Sequence, residues 1–378
     1  MDRASVRRRR RLALGILAGL AAGAFALGAA LGDGRAPKPP KAELAVSLAP
    51  PQLVGERIVA GLRGTAVSPR LRKAIHSGEI AGVVLFAANF PSRAAGRKLI
   101  AGLQAVRRPA GLRQPLLIMV DQEGGEVKRI GGAPIASAEQ MGARGAAFSR
   151  EQGRLTARNL RDLGINVDLA PVLDVARPGG VIAETERGFG ASAQRVVATA
   201  VPFARALQAG GVAATGKHFP GFGAATENTD FAVQRIHLSK AALRAVDEAP
   251  YRAYIGAGGK LVMLSTAIYP ALSPLPAAFS PQIATGELRD RLGFEGVSIT
   301  DALETVAVKS YGGPAEAGLA AVRAGTDLLL YPDLSAAQSA GRALLAKLRA
   351  GKLNREKFED SVQRVLELRG SLAGSSTR

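Results

Sequence analysis

The 378-residue sequence has no cysteine and no tryptophan, and it has only three histidines. The absence of cysteine excludes disulfides, cysteine nucleophiles and thiolate metal sites. The histidines, His76, His218 and His237, lack the spacing of a three-histidine zinc site, so neither a metal nor another cofactor is expected. Aromatic residues make up 4% of the chain and hydrophobic residues 47%, so a sizeable core is predicted to form without large aromatic side chains.

Acidic residues are also scarce relative to basic ones. There are 50 lysines and arginines against 31 aspartates and glutamates, which gives a net charge of +19. Such a surface attracts polyanions in general. The sequence carries no nucleic-acid-binding motif and no interleaving of aromatic and basic residues, so nucleic acid is not expected as a partner.

The N-terminal region is predicted to direct the rest of the chain out of the cytoplasm. Residues 1–11, MDRASVRRRRR, form a basic segment expected to stay cytoplasmic. Residues 12–32 are uncharged and long enough to cross a bilayer, as a membrane anchor or as a cleaved signal peptide. Residues 33–50 are predicted to be a proline-rich linker. The protein is therefore expected outside the membrane, either as a single-pass membrane protein or as a secreted one.

From about residue 80, short apolar runs alternate with helical stretches. Continuous apolar strands of this kind are typical of parallel sheets covered on both faces. About eight such units predict an α/β fold, a (β/α)8 barrel over residues 51–372. The predicted strands are AGVVLFA (81–87), PLLIMVD (115–121), INVDLAP (165–171), VAATGKHF (212–219), LVMLSTA (261–267), GVSITDA (296–302) and TDLLLYP (326–332).

Polar residues appear where several of these strands end. Asp121, Asp174, the pair Lys217–His218 and Asp301 each follow an apolar run. In a barrel, the carboxyl ends of the strands form one face, where active sites lie. Asp174 is interpreted as a residue that caps or braces a loop. The other four positions are predicted to form a polar site.

At this level of detail the chain resembles the N-terminal domain of glycoside hydrolase family 3, in the single-barrel branch that includes β-N-acetylhexosaminidases. The resemblance runs from about Gln52 to Leu368. It rests on six stretches in the order of the family: GVVLFAANF, VDQEGGEVKRI, LGINVDLAPVLDV, ERGFG, GKHFPGFG and LGFEGVSITDAL.

The resemblance implies a retaining glycosidase with a carbohydrate substrate. The carboxylate of Asp301 would attack the anomeric carbon to form a glycosyl-enzyme. Positions that hold the hydroxyls of the non-reducing sugar correspond to five residues here. These are Asp121, Arg129, Arg187, Lys217 and His218.

One departure from the family concerns the proton donor. The family loop carries Asp-Ser-His, and its histidine acts as general acid and base, whereas this chain has Asn228, Thr229 and Asp230. Three hypotheses follow: Asp230 is the proton donor, Glu227 replaces it, or the loop is catalytically inactive. In addition, Thr266 replaces a family histidine and Ala302 replaces an aspartate beside the nucleophile.

The expected function is an exported hydrolase of terminal β-linked sugars, above all β-N-acetylglucosaminides, including fragments of cell wall. The alternative is a catalytically degenerate, envelope-tethered glycan-binding protein. The two hypotheses differ in whether a β-N-acetylglucosaminide is turned over or only bound.

Overall fold

A computed structural model describes residues 47–373 of the protein. The basic segment 1–11, the apolar segment 12–32 and most of the linker 33–50 lie outside the described residues. Within 47–373, none of the helices combines the length and apolarity needed to cross a membrane.

The described residues contain ten strands, which we number in chain order. They are β1 (Ile58–Gly61), β2 (Gly82–Val84), β3 (Leu117–Val120), β4 (Gln122–Gly124), β5 (Val127–Lys128), β6 (Val167–Asp168), β7 (Ala213–Phe219), β8 (Leu261–Leu264), β9 (Val297–Thr300) and β10 (Leu329–Tyr331).

Eight of these strands form a closed parallel barrel. Their order is β10-β1-β2-β3-β6-β7-β8-β9, and every pairing in it is parallel. The first strand closes against the last with Ile58 opposite Leu329. A parallel bridge between Ile299 and Leu328 joins β9 to the segment leading into β10. The predicted (β/α)8 barrel is confirmed.

Helices connect the strands, and several begin at a serine whose hydroxyl accepts a backbone N–H. Ser92 accepts from Ala95 and Ser192 from Arg195. The α-helices are α1 (Pro50–Gly55), α2 (Pro69–His76), α3 (Arg93–Gln104), α4 (Ala138–Arg144), α5 (Ala146–Arg161), α6 (Val181–Glu184), α7 (Ala193–Ala209), α8 (Lys240–Ala242), α9 (Ala249–Gly256), α10 (Pro314–Ala324), α11 (Leu334–Arg349) and α12 (Arg355–Ala373). Leu243–Asp247 and Gln282–Arg291 are π-helical, and Ala87–Asn89, Ala277–Phe279 and Val306–Tyr311 are 3-10 turns.

Alternation along the strands produces two cores. In β3, Leu117 and Met119 belong to the cluster inside the barrel, whereas Ile118 and Val120 pack in the layer between strands and helices. The interior cluster also includes residues of α12, among them Val365, Leu368 and Leu372. The helix α12 therefore fills the base of the barrel, at the end where the strands begin.

A buried ion pair fixes α12 to the barrel base. The fully buried Arg369 pairs with the fully buried Glu56, which follows α1. The same guanidinium donates to the carbonyls of Pro115 at 2.9 Å and Gln114 at 2.6 Å, just before β3. Burial raises the pKa of Glu56, and the charge of Arg369 opposes that shift. These bonds give a buried charge the partners it requires.

Two elements were not predicted from the sequence. The strand β1 was missed because it has only four residues and directly follows the charged pair Glu56–Arg57. The hairpin of β4 and β5 was missed because it lies in a glycine-rich stretch without apolar alternation. The seven predicted strands all occur, but most are shorter than the apolar runs that predicted them. For example, β6 covers only Val167 and Asp168.

Candidate active site

A cavity of about 230 Å3 lies at the carboxyl ends of the barrel strands. All seven residues proposed from the sequence line it. They are Asp121, Arg129, Arg187, Lys217, His218, Asp230 and Asp301. Apolar side chains complete its wall, among them Phe86, Leu169 and Met263. The barrel thus brings together residues up to 180 positions apart, as the strand-end pattern predicts.

Lys217 lies between two carboxylates at the end of β7. Its Nζ is 2.7 Å from Asp121 Oδ1 and 2.6 Å from Glu123 Oε1. The second oxygen of Asp121 is 3.8 Å from Arg129 Nη2. Burial lowers the pKa of the Lys217 ammonium, but the charges of Asp121 and Glu123 outweigh it, so the net pKa is raised. Lys217 therefore stays charged inside the protein.

Glu123 belongs to this site, and the sequence reasoning missed it. Arg187 Nε and Nη2 each donate to one of its oxygens at 2.8 Å, a bidentate geometry. Burial acts to raise the pKa of Glu123, yet Arg187 and Lys217 together hold it well below its usual range. A local signal existed: Glu123 is two positions after Asp121, and alternate residues of an extended strand face the same side.

The two glycines after Glu123 allow the chain to turn between β4 and β5. Gly124 and Gly125 have φ of +100° and +56°, values that disfavour other residues. A Cβ on Gly124 would lie 2.2 Å from the carbonyl oxygen of Ala136. The backbone at Gly124 therefore lies directly against another protein segment, which fixes the β4–β5 hairpin beside the cavity.

His218 is oriented by Asp174. Its Nδ1 is 2.8 Å from Asp174 Oδ2, and its backbone N–H donates to Asp174 Oδ1 at 3.1 Å. The N–H of Phe222 donates to the same Oδ1 at 2.7 Å. Asp174 is fully buried and does not line the cavity, in agreement with its interpretation as a loop-bracing residue. With Nδ1 engaged, the other ring nitrogen of His218 remains for a ligand.

A second buried carboxyl, Asp168, lies at the end of β6. Its Oδ1 accepts the N–H of Gln122 at 3.0 Å, and its Oδ2 has no partner among the described residues. Burial raises its pKa well above the usual value, and the charges of Asp121 and Glu123 add to that effect. These surroundings favour the protonated form of Asp168.

Asp301 follows β9 and faces the cavity. Its N–H donates to the carbonyl of Leu264 at 3.0 Å, which ties it to the end of β8. Its Oδ1 accepts the N–H of Ala302 at 2.7 Å. Nearby, the buried Oγ1 of Thr266 has no partner among the described residues.

The loop with Asp230 is anchored next to Asp301. The N–H groups of Val306 and Ala307 donate to the carbonyls of Asp230 and Thr229 at 3.3 and 3.2 Å. Asn228 Nδ2 donates to Asp230 Oδ2 at 3.1 Å, and Asn228 Oδ1 accepts the Asp230 N–H at 3.0 Å. Both Asp230 and Glu227 are exposed, but only Asp230 lines the cavity.

The surroundings of Asp230 favour its protonated form. Desolvation raises its pKa, and the negative charge of Asp301 raises it further. The bond from Asn228 and the positive charges of His218 and Arg187 act in the opposite direction, but the net pKa is raised. Among residues 47–373, no cluster of acidic or histidine side chains suits a metal ion.

Comparison with known proteins gives consistent matches. The family model described as the glycosyl hydrolase family 3 N terminal domain matches residues 52–368. A secreted glycosyl hydrolase of Arthroderma benhamiae is 37% identical over 329 residues, which are 84% of this chain and 93% of the relative. A β-hexosaminidase of Stenotrophomonas maltophilia is 36% identical over 290 residues, which are 73% of this chain and 84% of the relative.

Solved structures show the same likeness. A family 3 β-N-acetylglucosaminidase from a Paenibacillus species superposes with a TM-score of 0.83 at 35% identity over 86% of this chain. The match spans only 63% of that protein's chain. A β-N-acetylhexosaminidase from Beutenbergia cavernae superposes with a TM-score of 0.80 at 32% identity, covering 86% of this chain and 99% of the other.

Proposed function

Because the chain belongs to glycosyl hydrolase family 3 and is therefore a glycosidase that hydrolyses O-glycosyl bonds, we propose that it removes terminal β-linked N-acetylglucosamine. The names of its relatives support this sugar: β-hexosaminidase for one and β-N-acetylglucosaminidase for another. The cavity, at about 230 Å3, is small enough to favour a single sugar unit over a long chain.

The observation that carries the proposal is the presence of two carboxyl groups in one cavity, of which one, Asp230, is held toward its protonated form. Asp301 and Asp230 both line it, and the pKa of Asp230 is raised by desolvation and by the Asp301 charge. In a retaining mechanism, one carboxylate attacks the sugar and a protonated carboxyl assists the leaving group. Asp301 suits the first role and Asp230 the second.

In the first step, Asp301 forms a bond to the anomeric carbon as the bond to the leaving oxygen breaks. Asp230 gives its proton to that oxygen. In the second step, Asp230, now a carboxylate, accepts a proton from water. The water oxygen bonds to the anomeric carbon, and the ester to Asp301 breaks.

The remaining polar residues would hold the sugar. Asp121 offers acceptor oxygens to hydroxyl groups, because only one of them is engaged by Lys217 at short distance. Arg129 Nε is buried without a partner in the described structure, so it has an unused donor. Arg187 and Lys217 are fixed by Glu123, and His218 is fixed by Asp174. A site preorganised in this way aligns the anomeric carbon with Asp301.

We further propose that the protein acts outside the cytoplasmic membrane, on envelope-derived glycan fragments. The arginine-rich start and the apolar segment 12–32 motivate this proposal. A similar protein is a secreted glycosyl hydrolase, which supports export.

The proposal is tested by incubating the purified protein with a panel of aryl β-glycosides. We expect turnover of the β-N-acetylglucosaminide in preference to the β-glucoside, β-galactoside and β-xyloside. Asp301→Ala should abolish turnover while the protein keeps its melting temperature within a few degrees. Saturable binding of N-acetylglucosamine without turnover would instead support the second candidate, a glycan-binding protein, which the replaced loop histidine favours.

A further inference from the structure

A second, larger cavity lies at the opposite end of the barrel from the active site. Its volume is about 660 Å3, and we call it the basal cavity. Arg57 directly precedes β1, and Arg289 contacts the start of β9. Both therefore lie where strands begin, whereas the active site lies where strands end. Six basic side chains line the basal cavity: Arg57, Arg289, Arg323, Lys352, Lys357 and Arg364.

Three arginines at the floor bind one buried aspartate, Asp327. Arg364 Nη2 is 2.9 Å from Asp327 Oδ1, and Arg289 Nη2 pairs with Asp327 Oδ2 at 2.5 Å. Arg57 donates to the carbonyl of Asp327 at 3.0 Å instead of to its carboxylate. The floor therefore carries three guanidinium charges against one negative charge, and the carboxylate is already saturated by other donors, including Ser298 and Ser361.

The excess positive charge affects the floor residues themselves. The pKa of Arg57 is lowered to about 10. Burial is the main cause, the charge of Asp327 opposes it, and the charges of Arg364 and Arg289 add to the lowering. Arg289 Nε is buried without a hydrogen-bond partner in the described structure. A buried donor of this kind costs free energy unless something pairs with it.

The rim adds three more cations that are not neutralised. Arg323, Lys352 and Lys357 are exposed, and none of them forms an ion pair within residues 47–373. The acidic residues lining the cavity are Asp290 and Asp360. With Asp327 included, six cations face three carboxylates. The first turn of α12 also borders the cavity, and the N-terminal end of a helix attracts anions.

These features indicate which class of ligand the basal cavity would bind. Guanidinium groups bind phosphoryl oxygens with paired donors, and the volume falls in the range of small-molecule sites. Carboxylate ligands would use fewer of the donors that the four arginines and two lysines carry. We propose that the basal cavity binds a phosphate-bearing anion, either a small oligophosphate or phosphate ester or the phosphodiester units of a polymer, at a site separate from the glycosidase cavity.

The experiment uses isothermal titration of the full chain at physiological ionic strength, with tripolyphosphate in one arm and oligomeric glycerol phosphate in the other. The test variant is Lys352→Ala/Lys357→Ala, which removes two exposed and unpaired cations of the rim. The matched control is Arg72→Ala/Lys98→Ala, which removes the same charge from exposed positions that do not line the basal cavity.

We expect saturable binding in at least one arm, and the arm that binds identifies the source of the phosphate. The affinity of the rim variant for that ligand should be lower by about tenfold or more, because the charge-assisted bonds of Lys352 and Lys357 to phosphate are removed. The control should change it by less than about twofold. Equal weakening in both variants would show general attraction to a basic surface, and absence of binding in both arms would equally overturn the proposal. Hydrolysis of an aryl β-N-acetylglucosaminide should stay unchanged in both variants. The result of the binding experiment therefore does not depend on whether the protein is a glycosidase.

Discussion

At the scale of single residues, Asp230 is the side chain whose role decides the mechanism. It lines the cavity with Asp301, and Asn228 holds both its carboxylate and its N–H. The same two bonds also describe an ordinary asparagine–aspartate turn, in which a side chain bonds the backbone two residues on. Geometry alone therefore fits both a proton donor and a structural turn, and kinetics with leaving groups of different quality separates them.

We predict that Asp230→Asn lowers the rate on a β-linked N-acetylglucosamine disaccharide by about 10²- to 10⁴-fold, the usual contribution of a general acid. With a nitrophenyl β-N-acetylglucosaminide, the rate of the first step, cleavage of the glycosidic bond, should fall far less. The nitrophenolate leaving group departs without a proton. Steady-state kinetics on both substrates provide the measurement, and Asp301→Asn should abolish turnover of both.

Glu227→Gln serves as the matched control on the same loop. Its side chain is exposed and does not line the cavity, so both rates should stay near those of the unaltered protein. If Asp230→Asn causes equal and small losses on the two substrates, Asp230 is only a turn residue. A selective loss in Glu227→Gln would transfer the donor role to that residue.

At the scale of elements, the site depends on the hairpin β4–β5 being fixed against the end of β7. Glu123 from β4 forms ion pairs with Lys217 on β7 and with Arg187, which follows α6. All three side chains are largely buried. Removing one partner of a buried ion pair lowers the free energy of unfolding by more than the pair contributed to it, because the remaining charges are left uncompensated.

We predict that Glu123→Gln lowers the free energy of unfolding by about 3 kcal/mol near neutral pH and lowers kcat/KM by displacing Arg187 and Lys217. Chemical denaturation of the variant and of the unaltered protein measures the first effect. Glu126→Gln is the matched control, because Glu126 is exposed in the turn of the same hairpin. It should leave both quantities unchanged.

The effect of Glu123 also depends on pH. Its folded pKa is depressed, so its stabilisation is complete above the unfolded pKa and is lost as pH falls toward the folded value. An unfolded glutamate titrates near about 4.3. The difference between Glu123→Gln and the unaltered protein should therefore narrow by more than about 1 kcal/mol between pH 6 and pH 3. A constant difference across that range would show that Glu123 contributes through packing alone.

The sequence predicted the barrel and most of the site because both depend on local patterns. Apolar runs ending in Asp121, Lys217 and Asp301 were sufficient to place these residues on one face. Glu123 was missed because its partners, Arg187 and Lys217, are 64 and 94 positions away, and only its spacing from Asp121 was a local signal. The docking of the Asp230 loop on Val306 and Ala307 was missed for the same reason, since it uses backbone groups that any residue provides.

At the scale of the whole molecule, the two ends of the barrel carry different chemistry. The carboxyl ends of the strands hold the acidic and basic residues of the candidate active site, and the amino ends hold α12 and the basal cavity. The glycoside substrate and the proposed phosphate-bearing ligand would therefore approach the barrel from opposite ends. A protein bound to an anionic polymer through its base would keep its active site open to the surroundings.

We predict that the catalytic domain is accessible from outside the cytoplasmic membrane. Protease added to intact spheroplasts that express the full chain should digest it, because the positive segment 1–11 is retained inside. Immunoblotting before and after addition of protease gives the measurement, and a cytoplasmic marker enzyme should survive in the same sample. Complete protection of the domain until the cells are lysed would contradict export.

The position of α12 also determines when the protein can fold. The strands that line the barrel interior begin with β1, but the apolar side chains that cover its base, Val365, Leu368 and Leu372, come from the last described helix. The pairing of β1 with β10 likewise waits for Leu329. An N-terminal fragment that stops short of β10 and α12 has neither closure nor base, so its barrel interior stays open to water. The barrel is therefore complete only when both ends of the described region, β1 and α12, are present together.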